Sequence, residues 1–319
     1  MDVHYGSRHS RVQPTFLIRA VAVRALRGMH TVIAELAFCH GEHIWANLET
    51  SARLQENNHY IADLLGLAAV VAAYPNLPKA RKWGEYTHNE LMRCVRKQVL
   101  DDGCCFERST RYTRLMGEML FFAGKCFAET PYKLPAEYFE RLSILGRFLD
   151  AVTNKDGRSL QVGDNDSGRV VCISPERYDD LRLVSRLVDR EIGPDAPDEA
   201  FFAEEELFYG ASGRVACFPS WRGGARTFYD AGMALARYGD WSLGFFASDG
   251  FVDESEPGHT HNDKLSFPLG FKGVPFFVDP GSGVYTRDPK VRNILRGTAQ
   301  HSTLRFGNLE QNEFRGLFG

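Results

Sequence analysis

The stretch Gly258-His259-Thr260-His261-Asn262-Asp263 places two imidazoles and a carboxylate within five residues. Imidazole serves near neutral pH as a general acid, a general base or a metal ligand, and a carboxylate can orient it. The approach is acidic, with Asp253, Glu254 and Glu256 before a turn at Pro257-Gly258. Apolar runs follow, Leu265 to Leu269 and Val274 to Val278, so the polar cluster reads as a loop leading into a hairpin. Were it to enter a strand, His259 and His261 would point to one side. The plain alternative is a pair of solvated turn histidines.

Two other stretches carry reactive groups. Glu56-Asn57-Asn58-His59-Tyr60 precedes a very apolar segment. One asparagine suits a helix N-cap, and amides at a helix start can also donate to a carboxylate. Asp101-Asp102-Gly103 leads to Phe106-Glu107-Arg108-Ser109-Thr110-Arg111-Tyr112. Ser109 or Thr110 can cap the next helix, which puts Tyr112 in its first turn. Near Arg108, Arg111 and Arg114 a phenolate would be favoured, and Tyr112 could act as acid or base. Simple packing of the ring, with its hydroxyl satisfied, is the other reading. The three arginines could steer a polyanion or form a solvated helix face. Finally, His261, Asp279 and His301 offer two imidazoles and a carboxylate, a zinc-type donor set, although Asp279-Pro280-Gly281 is independently a good turn.

Elements of two kinds must position these groups. Helical periodicity is expected over residues 16–38, 40–53, 59–73, 79–100, 110–128, 135–152 and 175–191. The segment from Ile61 to Ala73 is nearly all apolar and is expected to be buried on most of its surface. Helices in succession, joined mainly by short turns, pack as helical hairpins. Composition changes at Gly193-Pro194-Asp195-Ala196-Pro197, a linker signal. Beyond it strands are expected at Met233–Arg237, Trp241–Ser248, Leu265–Phe271, Val274–Val278 and Thr303–Phe306, with a hairpin turn at Lys272-Gly273. Pro268 and Pro275 favour edge positions or bulges. The expected organisation is a polar tail over 1–15, a helical domain over 16–194 and an antiparallel β domain over 195–319.

With 319 residues, 44% of them hydrophobic and 25% charged, the chain can bury a sizeable core. A net charge of −3 gives no global basic field, so no nucleic-acid partner is expected. Seven cysteines without a CxxC pair argue against a disulfide framework. No run is long and apolar enough for a membrane span, and Met1 to Gln13 lacks the apolar core of a secretory signal.

Together these stretches resemble the heparinase II/III family of polysaccharide lyases, which includes alginate lyases. The resemblance runs from about Ile18 to Asn308. It is most specific from Gly258-His259-Thr260-His261-Asn262-Asp263 through Asp279-Pro280-Gly281 to His301. It is looser at Asn58-His59-Tyr60, at Asp102-Gly103 with Glu107-Arg108-Ser109 and Tyr112, and at Gly163-Asp164-Asn165-Asp166. It implies an α+β multidomain fold: an incomplete (α/α) toroid of helical hairpins, then an antiparallel β-sandwich domain. It implies β-elimination on an acidic, uronate-containing polysaccharide, in a periplasmic or secreted setting. Asn58 and His59 match the groups that neutralise the substrate carboxylate, Tyr112 the catalytic tyrosine and His259 the catalytic histidine. His261, Asp279 and His301 match the ligands of a structural zinc. The chain departs from the family at Thr113, where histidine commonly follows the tyrosine. It is also short, so a fragment or a reduced member is expected.

In such a reaction a uronate loses its C5 proton and expels the oxygen at C4. A proton beside an ionised carboxylate is barely acidic, so the site must offset that charge and stabilise an enolate-like anion. Tyr112 fills both proton roles if proton and leaving group share a face; otherwise His259 is the base and Tyr112 the acid. Two rivals are a metal-dependent glycan hydrolase using His259, His261 and Asp263, and a non-catalytic glycan-binding or polysaccharide-assembly protein.

Overall fold

The computed structural model describes residues 30–50, 56–173, 177–192, 205, 221, 223–247 and 259–314. The expected polar tail, the linker at 193–197 and the acidic approach at 253–258 lie outside them. The described chain runs through helices α1 (His30–Ala46), α2 (Asn58–Ala73), α3 (Ala80–Gln98), α4 (Thr110–Phe127), α5 (Ala136–Val152) and α6 (Leu183–Ile192). Five strands follow: β1 (Gly224–Phe228), β2 (Met233–Tyr238), β3 (Trp241–Phe246), β4 (Leu269–Phe271) and β5 (Val274–Phe277). A short helix α7 (Pro289–Leu295) comes last. None of the described helices is long and apolar enough to cross a membrane.

Two compact units divide the chain, one of residues 1–98 and 118–138, the other of 99–117 and 139–319. In the first unit, α2 packs against α1 and α3 as antiparallel hairpins. Its apolar run is almost wholly buried, and Ile61, Leu64 and Leu67 have no exposed surface. Asn57 caps α2, its Oδ1 accepting from the His59 amide at 2.9 Å. The expected break between helices at 38–40 is not there; α1 runs through it to Ala46. Gly41 lies inside this helix. A Cβ at that position would lie 2.5 Å from the fully buried Trp83 ring, so the glycine admits a side chain from α3 and does not end the helix.

In the second unit, α6 packs on α5, and α5 lies beside a five-stranded antiparallel sheet with strands in sequence order. Phe148 on α5 meets Phe228 on β1 edge to face at 5.1 Å. Arg237 on β2 donates to the carbonyls of Ala151 and Thr153 at 2.8 and 2.7 Å, which satisfies the open C-terminal end of α5. Met233, Leu235 and Phe246 are buried, while Trp241, Leu243, Phe245 and Phe276 are exposed. One sheet of the expected sandwich therefore lies among the described residues.

Three expected elements differ. The last helix of the helical run begins at Leu183 and not at 175, because residues 177–182 turn instead and Asp180 accepts from the Arg182 amide at 3.1 Å. The run from Leu265 becomes a strand only after Pro268, which has no amide to give a ladder; before it, one isolated bridge joins Phe246 and Ser266. Residues 303–306 form no strand, and β1 carries a strand that alternation did not flag. The hairpin at Lys272-Gly273 forms as expected, both residues having positive φ, 51° and 74°. Pro275 sits in β5 at the sheet edge, across from a register shift at Leu269/Gly270.

Gly103 opens the loop that leads to Tyr112. Its φ is +95°, and a Cβ there would lie 2.3 Å from the Ile144 carbonyl oxygen. Gly103→Ala is therefore expected to lower stability by about 1–3 kcal/mol in chemical denaturation. An unchanged midpoint would show that this backbone approach is not as close as described.

Candidate functional site

Helix α4 begins at a braced turn. Ser109 caps it, accepting from the Tyr112 amide at 3.2 Å. Thr113 is buried and locks the same turn; its hydroxyl donates to the Ser109 carbonyl at 2.8 Å and accepts from the Cys105 amide at 3.1 Å. The departure at 113 thus has a structural use. Arg111 and Arg114 neither face solvent nor wait for a polyanion. Arg111 is buried against Asp179 at 2.9 Å, and Arg114 donates to the carbonyls of Gly168 and Tyr178 at 2.6 and 3.1 Å. Arg108 is half-buried in a left-handed turn, at φ +53°.

The segment Val162–Asp164 fits between that turn and the histidine stretch. Thr110 donates its amide to the Val162 carbonyl at 3.2 Å, Ser109 its hydroxyl to the Asp164 carbonyl at 2.8 Å, and Asp164 its amide to the His259 carbonyl at 2.9 Å. Gly163 makes this possible: its φ is +72°, and a Cβ would lie 2.5 Å from the His259 oxygen. His259 is thereby laid on Tyr112, their rings stacked at 18° with centroids 3.6 Å apart. The Tyr112 hydroxyl is 2.6 Å from that of Tyr285, which is 3.5 Å from His259 Nδ1. Burial first, then the neighbouring Tyr285 and Asp166, hold the Tyr112 phenol well above the ordinary tyrosine range. It therefore keeps its proton at physiological pH.

Asp164 is fully buried and joins both histidines. Its Oδ2 faces His259 Nδ1 at 3.0 Å and accepts from Arg292; its Oδ1 faces His261 Nε2 at 3.1 Å and accepts from the Ser282 hydroxyl at 2.8 Å. Burial opposes its charge, but the hydrogen bonds and charge of His259 and His261 outweigh burial and hold the carboxyl below the usual range. His259 Nε2 faces Glu107 at 3.3 Å, so both nitrogens of that ring point at carboxylates.

His261, Asp279 and His301, the expected donor set, come together with ligand atoms all within 4.8 Å of one another. Asp279 lies 3.8 Å from His261 Nδ1 and 3.4 Å from His301 Nδ1. The set fits a metal ion. His261 Nδ1 and both nitrogens of His301 are buried without a hydrogen-bond partner, while Asp164 at His261 Nε2 leaves Nδ1 its lone pair. Burial beside Asp279 pushes the Asp263 carboxyl up to about 7, the mark of negative charge crowded in one place. Among the described residues the metal-type group is His261, Asp279 and His301, and not the hydrolase set His259, His261 and Asp263.

Asn58 and His59 stand at the start of α2, in the other compact unit. Asn58 is buried, and His59 is one-third exposed with Nδ1 2.9 Å from Glu49. Sequence reasoning missed Tyr285, Ser282 and Arg292. The signal for Tyr285 is conformational: it is a non-glycine residue at φ +48°, which backbone sterics disfavour and functional sites tolerate.

Known proteins share this fold. None of the curated proteins matches the chain. Among solved structures, a heparinase III matches with TM-score 0.64 and 18% identity over 95% of this chain and 47% of that one. Another heparinase III, with methylated lysines, matches with TM-score 0.63 and 19% identity over 93% and 44%. The heparan sulfate lyase HepC from Pedobacter heparinus matches with TM-score 0.54 and 20% identity over 82% and 38%. These likenesses show the fold, and the chain spans less than half the length of each relative. The family model "Heparinase II/III N-terminus" matches residues 31–150, and "Heparinase II/III-like, C-terminal" matches 222–319. Helical hairpins followed by an antiparallel sheet, with both halves matched in order, make this chain a member of the heparinase II/III-like family of polysaccharide lyases.

Proposed function

We propose that the chain cleaves a uronate-containing polysaccharide by β-elimination, with Tyr112 as acid and His259 as base or its close partner. The observation that carries this is the stack of Tyr112 on His259, with a second tyrosyl hydroxyl 2.6 Å from the first. Proton donor and proton acceptor thus share one small volume, as elimination requires. The C5–H bond breaks to the base, its electrons form the C4–C5 double bond, and the departing C4 oxygen takes the Tyr112 proton. If proton and leaving group lie on one face, Tyr112 first gives its own proton to His259, takes the C5 proton as the phenolate, and passes that proton to the departing C4 oxygen. Asn58 and His59 are assigned to the substrate carboxylate, offsetting its charge while the enolate-like anion develops. His261, Asp279 and His301 would hold zinc, which when bound supplies positive charge to a cluster otherwise rich in buried carboxylate. Heparan sulfate is the first substrate to try, because HepC is a heparan sulfate lyase of similar fold.

Ultraviolet absorbance of the zinc-loaded chain with heparan sulfate, hyaluronan, chondroitin and alginate is the direct test. A rise from unsaturated uronate is the expected result; saturable binding with no rise would favour a glycan-binding protein. Tyr112→Phe is expected to lower kcat by about 100-fold or more at unchanged circular dichroism. Activity retained in that variant would remove Tyr112 from the chemistry. Tyr285→Phe is expected to fall about 10-fold, the loss of one positioned hydroxyl in the transition state. His301→Ala is expected to lose bound zinc, counted by elemental analysis, together with thermal stability. Full zinc stoichiometry in that variant would reject the ligand assignment.

A further inference from the structure

The buried carboxylate of Asp164 has two oxygens with two different duties. Oδ1 receives His261, whose other nitrogen faces Asp279, and Oδ2 receives His259, stacked on Tyr112. Each oxygen has one further donor, Ser282 at Oδ1 and Arg292 at Oδ2, so the carboxylate is held at both ends. The main chain fixes it as well, through the Asp164 amide on His259 and the Asn165 amide on the Ser282 hydroxyl at 2.8 Å. A histidine that coordinates through Nδ1 must carry its proton on Nε2, and the cation makes that N–H a stronger donor. The stronger donor draws Oδ1 toward His261 and fixes the carboxylate plane. A planar group fixed at Oδ1 is also fixed at Oδ2, and so is the ring that Oδ2 holds.

We infer that Asp164 is a positioning residue that couples the metal centre to His259, so that a filled centre holds the proposed base in place against Tyr112. This rests on the lyase reading for the role of His259. It departs from a purely structural part for the metal, because one side chain separates the ligand His261 from the stacked pair.

The test uses the full chain with zinc as the probe. Zinc affinity is measured by competition with a chromophoric chelator, kcat and KM at saturating zinc, and the His259 ring resonances by histidine-labelled NMR during zinc titration. In Asp164→Asn, zinc affinity is expected to fall about 10- to 100-fold, as for other partners of ligating histidines. At saturating zinc, kcat is expected to fall about 100-fold with KM within about threefold, the pattern of a lost transition-state arrangement. The His259 resonances are expected to move with zinc in the wild type and to stay still in the variant. Wild-type zinc affinity in Asp164→Asn, or a His259 response identical in both, would overturn the coupling. If that variant does not fold, Ser282→Ala carries the test, since it keeps the carboxylate and removes only a neutral donor from Oδ1. Severalfold weaker zinc binding there supports the link, and unchanged affinity sinks it. A wild-type chain that binds zinc but forms no unsaturated product would overturn the lyase reading alone, and the affinities and resonances would still decide the coupling.

Discussion

A single buried carboxylate organises the second compact unit. Asp164 has no exposed surface, and an ionised group in that position is tolerated only when every lone pair is met. Four side chains meet it: His259, His261, Ser282 and Arg292. They come from the histidine loop, the turn after Asp279 and helix α7, so the charge pulls three separate segments to one point. Removing any one donor would leave part of a buried charge unpaired, which costs far more than the bond itself contributes. The arrangement therefore has little freedom to drift, and preorganisation of this kind is what acid–base chemistry needs.

Everything near that carboxylate is consistent with a close backbone approach. Gly163 lets its segment run against the His259 carbonyl, and the Ser109 cap ties the same segment to the start of α4. Tyr112 follows from the cap, one turn into the helix, and its ring lands on the imidazole. Thr113 shows local bracing of the same turn, because its hydroxyl bonds the Ser109 carbonyl and the Cys105 amide. The arginines of α4 tell a related story. Charge on a helix looks like a solvated face in sequence, yet Arg111 and Arg114 are buried and bonded to Gly168, Tyr178 and Asp179.

Local signals were legible where the physics is local. The Asn57 cap, the buried run of α2 and the Lys272-Gly273 turn each follow from a few adjacent residues. So do the residue types of the site: imidazoles two apart, a tyrosine after a capping serine, and an Asp-Pro-Gly turn bearing a carboxylate. Where a local signal failed, a distant side chain had overruled it. The break expected between residues 38 and 40 is not there, and nearby the Trp83 ring fills the space that a Cβ on Gly41 would occupy.

The sequence by itself determined the order of elements, helical hairpins before an antiparallel sheet, because hydrophobic period and turn chemistry are written in neighbouring residues. It also named the donor set His261, Asp279 and His301, since ligand types can be read without coordinates. Only the tertiary structure decided which group joins the metal-type cluster to the stacked pair. Asp164 lies 95 and 97 residues from the two histidines and 128 from Arg292, and no periodicity spans such distances. Tyr285 likewise reaches Tyr112 across 173 residues. Contacts of that range are set by how a whole core closes, where burial and the need to satisfy every buried polar atom select one arrangement from many.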